Sequence, residues 1–374
     1  MTLAVKSEDL VGFSRLVHRA GGDCGSARAY LDRSTDIDSS FVGDLWDWAL
    51  GDHTRRVRDA RDVLSRFDTI LGASVSELKK TATWYDSVDL EQARRIDATY
   101  PAVKLSAVPR TRPSPSGGTS FQDVRDAVSR LKPPGGSDGW LQGHLAELEF
   151  APANKAAGTL LDFGSVSALA NEGLKFAFGW DVLGHITNWL AGDWQSYADC
   201  ADVWDCLGNA CTDMAANIRQ GNSVLGLTWQ GNAADAAWKY FANSAAKLES
   251  ASEAFHDLRD RYQNVATLVY SFAEVVKGGV AELCDWGAQV AIAAAASTAM
   301  AASGVGFTGA FVGAAFAAER VAAMAERYRE LTEKYDQVMG AVNLAFAGSG
   351  AICAVVSDVR KFPVVGKSYD NALV

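Results

Sequence analysis

Histidine is scarce in this chain of 374 residues, and its five copies are scattered. His18, His53, His144, His185 and His256 form no H-E-x-x-H helix and no paired spacing suited to zinc. The six cysteines (Cys24, Cys200, Cys206, Cys211, Cys284, Cys353) make no C-x-x-C pair. They read as small buried hydrophobes, with a disulfide as the alternative. No G-x-S-x-G elbow and no phosphate loop occurs, and the glycine-rich run at 21–25 follows no strand pattern. Neither a catalytic constellation nor a metal or cofactor is therefore expected. Basic residues fall short of acidic ones, 35 against 45, leaving a net charge of −10. A nucleic-acid binder needs the opposite balance to neutralise phosphates. The first thirteen residues have no continuous apolar core and carry Lys6, Glu8 and Asp9, so no cleavable signal peptide is expected.

What is present is a globular composition, 48% hydrophobic and 21% charged, long enough for two or three domains. There are eight prolines, and six of them fall between positions 101 and 134. Proline fixes φ and removes the amide donor, so 101–137 reads as a linker, with a short helix over 121–131 inside it.

Before that linker, residues 1–100 read as a helical hairpin. Its first helix, 7–32, carries Leu10, Phe13, Leu16, Val17 and Leu31 on one side, and 36–51 is assigned to the turn, near Trp46 and Trp48. Its second helix repeats Val57, Ala60, Leu64, Phe67, Leu71, Val75, Leu78, Ala82 and Tyr85 at steps of three and four. After the linker the design returns over 138–280. Trp194, Tyr197, Ala201, Trp204, Cys211, Ala215 and Ile218 line a helix that Asp193 caps, and 221–231 breaks it. The strongest stripe in the chain follows, from Phe241 through Leu248, Phe255, Tyr262 and Val269 to Val276. Residues 281–350 read as an Ala/Gly-rich helical hairpin with a last amphipathic helix, and 351–374 as a mobile tail.

Two short motifs sit at the ends of these helices. Trp229-Gln230-Gly231 occupies the break between the two long helices of the second hairpin, where Trp can cover the hairpin end and Gly permits the turn. Y-x-x-x-[DE] closes each second helix, as Tyr85 with Asp89 and as Tyr270 with Glu274. A spacing of four places each pair on one helical face. The plain alternative is that each Tyr packs in the core while its acid faces solvent.

W-x-G in a helix-turn-helix, with Y-x-x-x-[DE] some forty residues later, resembles the WXG-motif family of helical hairpins exported by type VII (ESX-like) secretion. Residues 190–241 are especially similar to long actinobacterial members, and 1–100 look like a diverged sister hairpin without W-x-G. The resemblance implies an all-α fold of antiparallel hairpins paired into a four-helix-type bundle. It also implies export to the medium or cell surface through the secretion ATPase, on a composite signal drawn from Trp229, Gly231, Tyr85, Asp89, Tyr270 and Glu274. A small WXG-type partner, or self-association, stays open. Because a helix rises about 1.5 Å per residue, Tyr270 lies some 60 Å from Trp229, so Tyr85 and Asp89 are expected to meet Trp229 instead.

One feature falls outside the resemblance. Residues 286–318 contain no Asp, Glu, Lys, Arg or His, and Gly304 and Gly306 divide them. A buried helical hairpin turning near 303–309 is expected, with membrane contact as the alternative. A cytoplasmic helical scaffold and a membrane-active, pore-forming protein remain the competing functions. Only 28 residues follow Phe346, too few for a catalytic domain.

Overall fold

The computed structural model of the chain describes residues 3–40, 43–100, 121–135, 167–303, 307–347 and 350–365. The fold is all-α, and the described residues pair as strands only in one isolated antiparallel bridge, Ala4 with Gln230. The first hairpin is α1 (Ser7–Ser34) and α2 (Asp44–Ser87), followed by the short α3 (Leu90–Asp97). After a single 3₁₀ turn (Val128–Arg130) come α4 (Ser167–Phe178) and α5 (Val182–Leu190). The second hairpin is α6 (Trp194–Thr228) and α7 (Asn232–Ser303). Then α8 (Phe307–Ala347) and α9 (Gly350–Lys361) complete the order.

Local chemistry explains most of these ends, and corrects several expected ones. Acidic residues occupy the first turns of α1 (Glu8, Asp9) and α2 (Asp44, Asp47), where they complement the helix dipole. Because α2 begins at Asp44, Trp46 and Trp48 lie inside it and not in the turn. Asp193 caps α6 as expected, accepting the Ser196 amide at 3.2 Å. Gly221 and Gly226 do not break α6, which runs on to Thr228. Gly221 is there because α1 presses on it: a Cβ would sit 2.8 Å from Phe13 and 2.9 Å from Leu16.

The two hairpins pack as one bundle. Phe13 of α1 meets Phe241 of α7 edge-to-face at 4.8 Å, and Trp46 of α2 meets Trp194 of α6 at 5.1 Å. His53 of α2 crosses the core to Tyr262 of α7, with Nδ1 2.8 Å from the phenol oxygen and Nε2 3.0 Å from the Thr35 carbonyl. A carbonyl only accepts, so Nε2 carries the proton and Nδ1 takes the Tyr262 hydroxyl. Burial pushes the His53 pKa below its ordinary value, which keeps the ring neutral.

Two segments expected to be loose close the bundle instead. Over 351–365 the expected tail is a docked helix. Ile352, Val355, Val356 and Val359 of α9 are buried against α2 and α7, and Tyr240 donates to the Pro363 carbonyl at 3.1 Å. The other is residues 121–135, inside the expected linker, which bind across α1 and α6. Phe121 covers Gly12 and lies tilted against Phe13, with ring centroids 6.0 Å apart. Asn217 of α6 accepts the amides of Val124 and Arg125 at 2.9 Å each, and Asp213 accepts from Arg125 and Arg130 at 3.1 and 2.6 Å. The helix expected over 121–131 is only the 3₁₀ turn. The rest of the expected linker and the start of the second unit (101–120 and 136–166), the Gly304 and Gly306 break, and the end of the tail from 366 lie outside the described residues.

The expected boundary at 280–281 falls inside α7, an uninterrupted helix of 72 residues. Its far part pairs with α8 antiparallel: Gly279 touches Leu331, Glu282 pairs with Arg327 at 2.7 Å, and Gly313 touches Ser297. The expected Ala/Gly-rich hairpin is therefore present, but its expected burial is partial among the described side chains: Gly287, Val290 and Ala317 are buried. Ile292 and Phe316 are 58% and 38% exposed. Among the described residues one stretch, Gly313–Lys361, is long and apolar enough by length and composition to cross a membrane. Charges recur from Glu319 to Asp336, so its apolar window falls toward α9.

Candidate functional site

At one end of the bundle α6 stops at Thr228 and α7 starts at Asn232, leaving Trp229-Gln230-Gly231 as the turn. Three separate parts of the chain hold it. The N-terminal residues pair with it, Ala4 and Gln230 exchanging both backbone hydrogen bonds at 3.3 and 2.7 Å. From the end of α2, Tyr85 reaches Trp229: the indole Nε1 donates to the Tyr85 hydroxyl at 3.3 Å, with the rings edge-to-face at 6.4 Å. Burial pushes the Tyr85 phenol up to about 12, so it stays protonated near neutrality. Trp229 itself is only 3% exposed.

The third part was not legible as a site residue. The carbonyl of Gly231 accepts the amide of Asp235, which makes Gly231 the N-cap of α7. Glycine has no side-chain oxygen to bond the first free amides of a helix. Asp97, at the end of α3, supplies it from elsewhere in the chain. Its two carboxylate oxygens accept the amides of Asn232 at 3.0 Å and Ala233 at 2.9 Å, and its carbonyl accepts from the Asn232 side chain at 3.1 Å. The signal available in the sequence was a carboxylate on the inner face of a short helix, one position past Ile96 and four past Ala93.

Asp89, expected beside Tyr85, takes another role. α2 ends at Ser87, Val88 is extended, and Asp89 caps α3 by accepting the Gln92 amide at 2.7 Å. The helical face that a spacing of four assumes is broken before the acid is reached. Tyr270 and Glu274 lie well along α7, about 60 Å from the turn at 1.5 Å per residue. Glu274 is near Lys277 at 3.9 Å on an exposed face.

Gly231 is required twice over. Its φ is +135°, where L side chains are rarely found, and a Cβ would lie 2.9 Å from both Asp97 oxygens and from Leu3. Gly231→Ala is expected to cost roughly 1–3 kcal/mol from the backbone alone. Urea unfolding measures it; a change below about 0.5 kcal/mol would show that the turn relaxes freely.

The cleft between Trp84, Tyr85, Asp97, Tyr100 and Trp229 holds about 30 Å³. That is roughly the share of one water, so this is a packed junction rather than a small-molecule pocket. Among the described residues no group of three or more His, Cys, Asp or Glu is placed to hold a metal ion. The described cysteines are free thiols; Cys353, unlike the expectation of burial, is exposed. Compared with known proteins, the chain matches no family model, no curated protein and no solved structure.

Proposed function

We propose that this chain is a non-enzymatic substrate of type VII (ESX-like) secretion, exported folded as a structural or effector protein to the medium or cell surface. Its export signal is the junction of Trp229 and Gly231 with Tyr85. The observation that carries the reading is the hydrogen bond from Trp229 to Tyr85, which joins the turn of one hairpin to the exit of the other. The W-x-G turn and a Y-x-x-x-[DE] tyrosine, 144 residues apart in sequence, meet at one bundle end. Of the two tyrosines, Tyr85 is the reader's choice over Tyr270, because only Tyr85 touches the turn. The packing of the sister hairpin on the second hairpin, through Phe13 and Phe241, supports export without a small WXG-type partner, with the machinery and its ATPase as the partners.

A second reading has an observation in its favour. Trp229 is nearly fully buried, as a packing residue in a cytoplasmic helical scaffold would be. Export decides between them. In a host carrying the secretion system, the chain is expected in the medium only when the ATPase is active. Tyr85→Ala and Trp229→Phe are expected to abolish export while the purified variants keep their helical circular dichroism. ATPase-independent release, or normal export of both variants, would leave the scaffold reading.

A further inference from the structure

The part of α7 and α8 farthest from the W-x-G turn differs from the rest of the long helices in carrying no ionisable side chain. α4 is the last element to cross α7 closely, with Gly173 and Ala170 against Gly287. Val290 is the last buried residue of α7 among those described. Beyond it Ile292, Ala295, Ala296, Thr298 and Ala299 are exposed, as are Ala314, Ala315 and Phe316 on α8. Beside the base, α4 and the residues after it add Leu169, Phe176 and Trp180, at 43%, 68% and 40% exposure. Exposed large apolar side chains on neighbouring elements point to a binding face.

Charge and hydrogen bonding say what the face fits. Residues 286–318 hold no ionisable side chain, so they have nothing to set against the charged surface of a protein or nucleic acid. Two exposed or half-exposed hydroxyls on the face return to their own helix: Ser297 donates to the Ala293 carbonyl at 2.7 Å and Thr298 to Ala294 at 2.8 Å. A helical hydroxyl closed on its own backbone in this way is one that hydrocarbon admits. Charges resume at Glu282 and Asp285 on α7 and from Glu319 and Arg320 to Arg327 on α8. The Arg320 guanidinium lies 5.1 Å over the Phe316 ring. Aromatic rings sit beside the Glu282–Arg327 pair: Tyr328 is 5.6 Å from both Phe178 and Trp180, with Trp286 on the next turn of α7 after Glu282. Trp and Tyr collect where a protein passes from hydrocarbon to headgroups.

We propose that this end of the α7–α8 hairpin inserts into the hydrocarbon of a lipid bilayer as a wedge, without crossing it. Length sets the depth. The uncharged part of α7, residues 286–303, is about 27 Å long and that of α8, residues 307–318, about 18 Å, against a hydrocarbon core of about 30 Å. The proposal does not rest on export and is tested on purified protein.

The experiment is flotation of the full chain with phosphatidylcholine vesicles, and with vesicles containing phosphatidylglycerol. The wild-type chain is expected to float with both, in low and high salt. Ile292→Asp and Phe316→Asp, at exposed positions, are each expected to lower the membrane partition roughly a hundredfold. Circular dichroism of both variants is expected to match the wild type. Failure of the wild type to float, or equal flotation of the charged variants, would overturn insertion. So would binding to anionic vesicles alone that high salt removes, since that is surface electrostatics. Wild-type dimers that the charged variants dissolve, with no flotation, would assign the face to a second copy instead.

Discussion

Phe241→Ala is expected to destabilise the whole chain by about 3–5 kcal/mol and to shift the melting of both hairpins together. Phe241 belongs to α7 but is fully buried, and one of its ring contacts is Phe13 of α1, 4.8 Å away and edge-to-face. Truncation removes the transfer energy of the ring and leaves a cavity walled by two units that are far apart in sequence. α1 also packs along α6, and 121–135 is bonded to both. Neither hairpin can therefore loosen at this point without exposing the apolar stripe of the other. Urea unfolding followed by circular dichroism and by tryptophan fluorescence makes the comparison. Two separated transitions, with the one from the first hairpin unmoved, would show that the hairpins are independent domains.

Asp52→Leu is expected to cost about 3–5 kcal/mol, because it strands a buried cation. Asp52 and Arg56 lie one turn apart on α2 and their side chains are each 5% exposed. The guanidinium makes two hydrogen bonds to the carboxylate, at 3.1 and 3.0 Å. Burial works against the charge on Arg56, and the bonds and charge of Asp52 more than offset it, so the Arg56 pKa lies above its ordinary value. Removing the carboxylate takes away the main offset to burial and leaves the cation the Cys353 sulfur, 3.5 Å from Nη1. The double variant Asp52→Leu/Arg56→Met should recover most of the loss, since an apolar pair has no charge to desolvate. If the single variant costs under about 1 kcal/mol, water reaches Arg56 and the pair behaves as a surface one.

The stripes from Val57 to Tyr85 and from Phe241 to Val276 were legible because burial on one face imposes a period that nothing else in the sequence imitates. Element ends were less so, and each miss has a tertiary cause. Gly221 and Gly226 read as breaks, yet α6 continues, and Gly221 makes room for Phe13 and Leu16 of α1. The stripe fades after Val276 and reads as a boundary, but alanine is the best helix former, so the backbone of α7 passes straight through. Ile352, Val355, Val356 and Val359 carry a helical spacing that four turns of sequence cannot distinguish from a mobile tail until α2 and α7 offer a groove. At the site, Trp229, Gly231 and Tyr85 could be named from local pattern. Asp97 could not, because its partners are amides 135 residues away, and no local rule tells a helix that its cap will come from another segment. The docking of 121–135 was hidden for the same reason, since Asn217 and Asp213 supply its bonds.

The length of α7 has one more consequence. At 1.5 Å per residue its 72 residues trace about 108 Å, more than twice the 40–45 Å of a bilayer with its headgroups. The Trp229 turn stands at its first residue and the uncharged wedge at its last. Two ends so far apart share no neighbours, so a receptor gripping the indole end and a lipid leaflet receiving the other would not compete for space. Substitutions at the two ends should then combine additively. The helix is long enough to hold the two ends apart as a spacer, so that one end could be gripped while the other meets a leaflet.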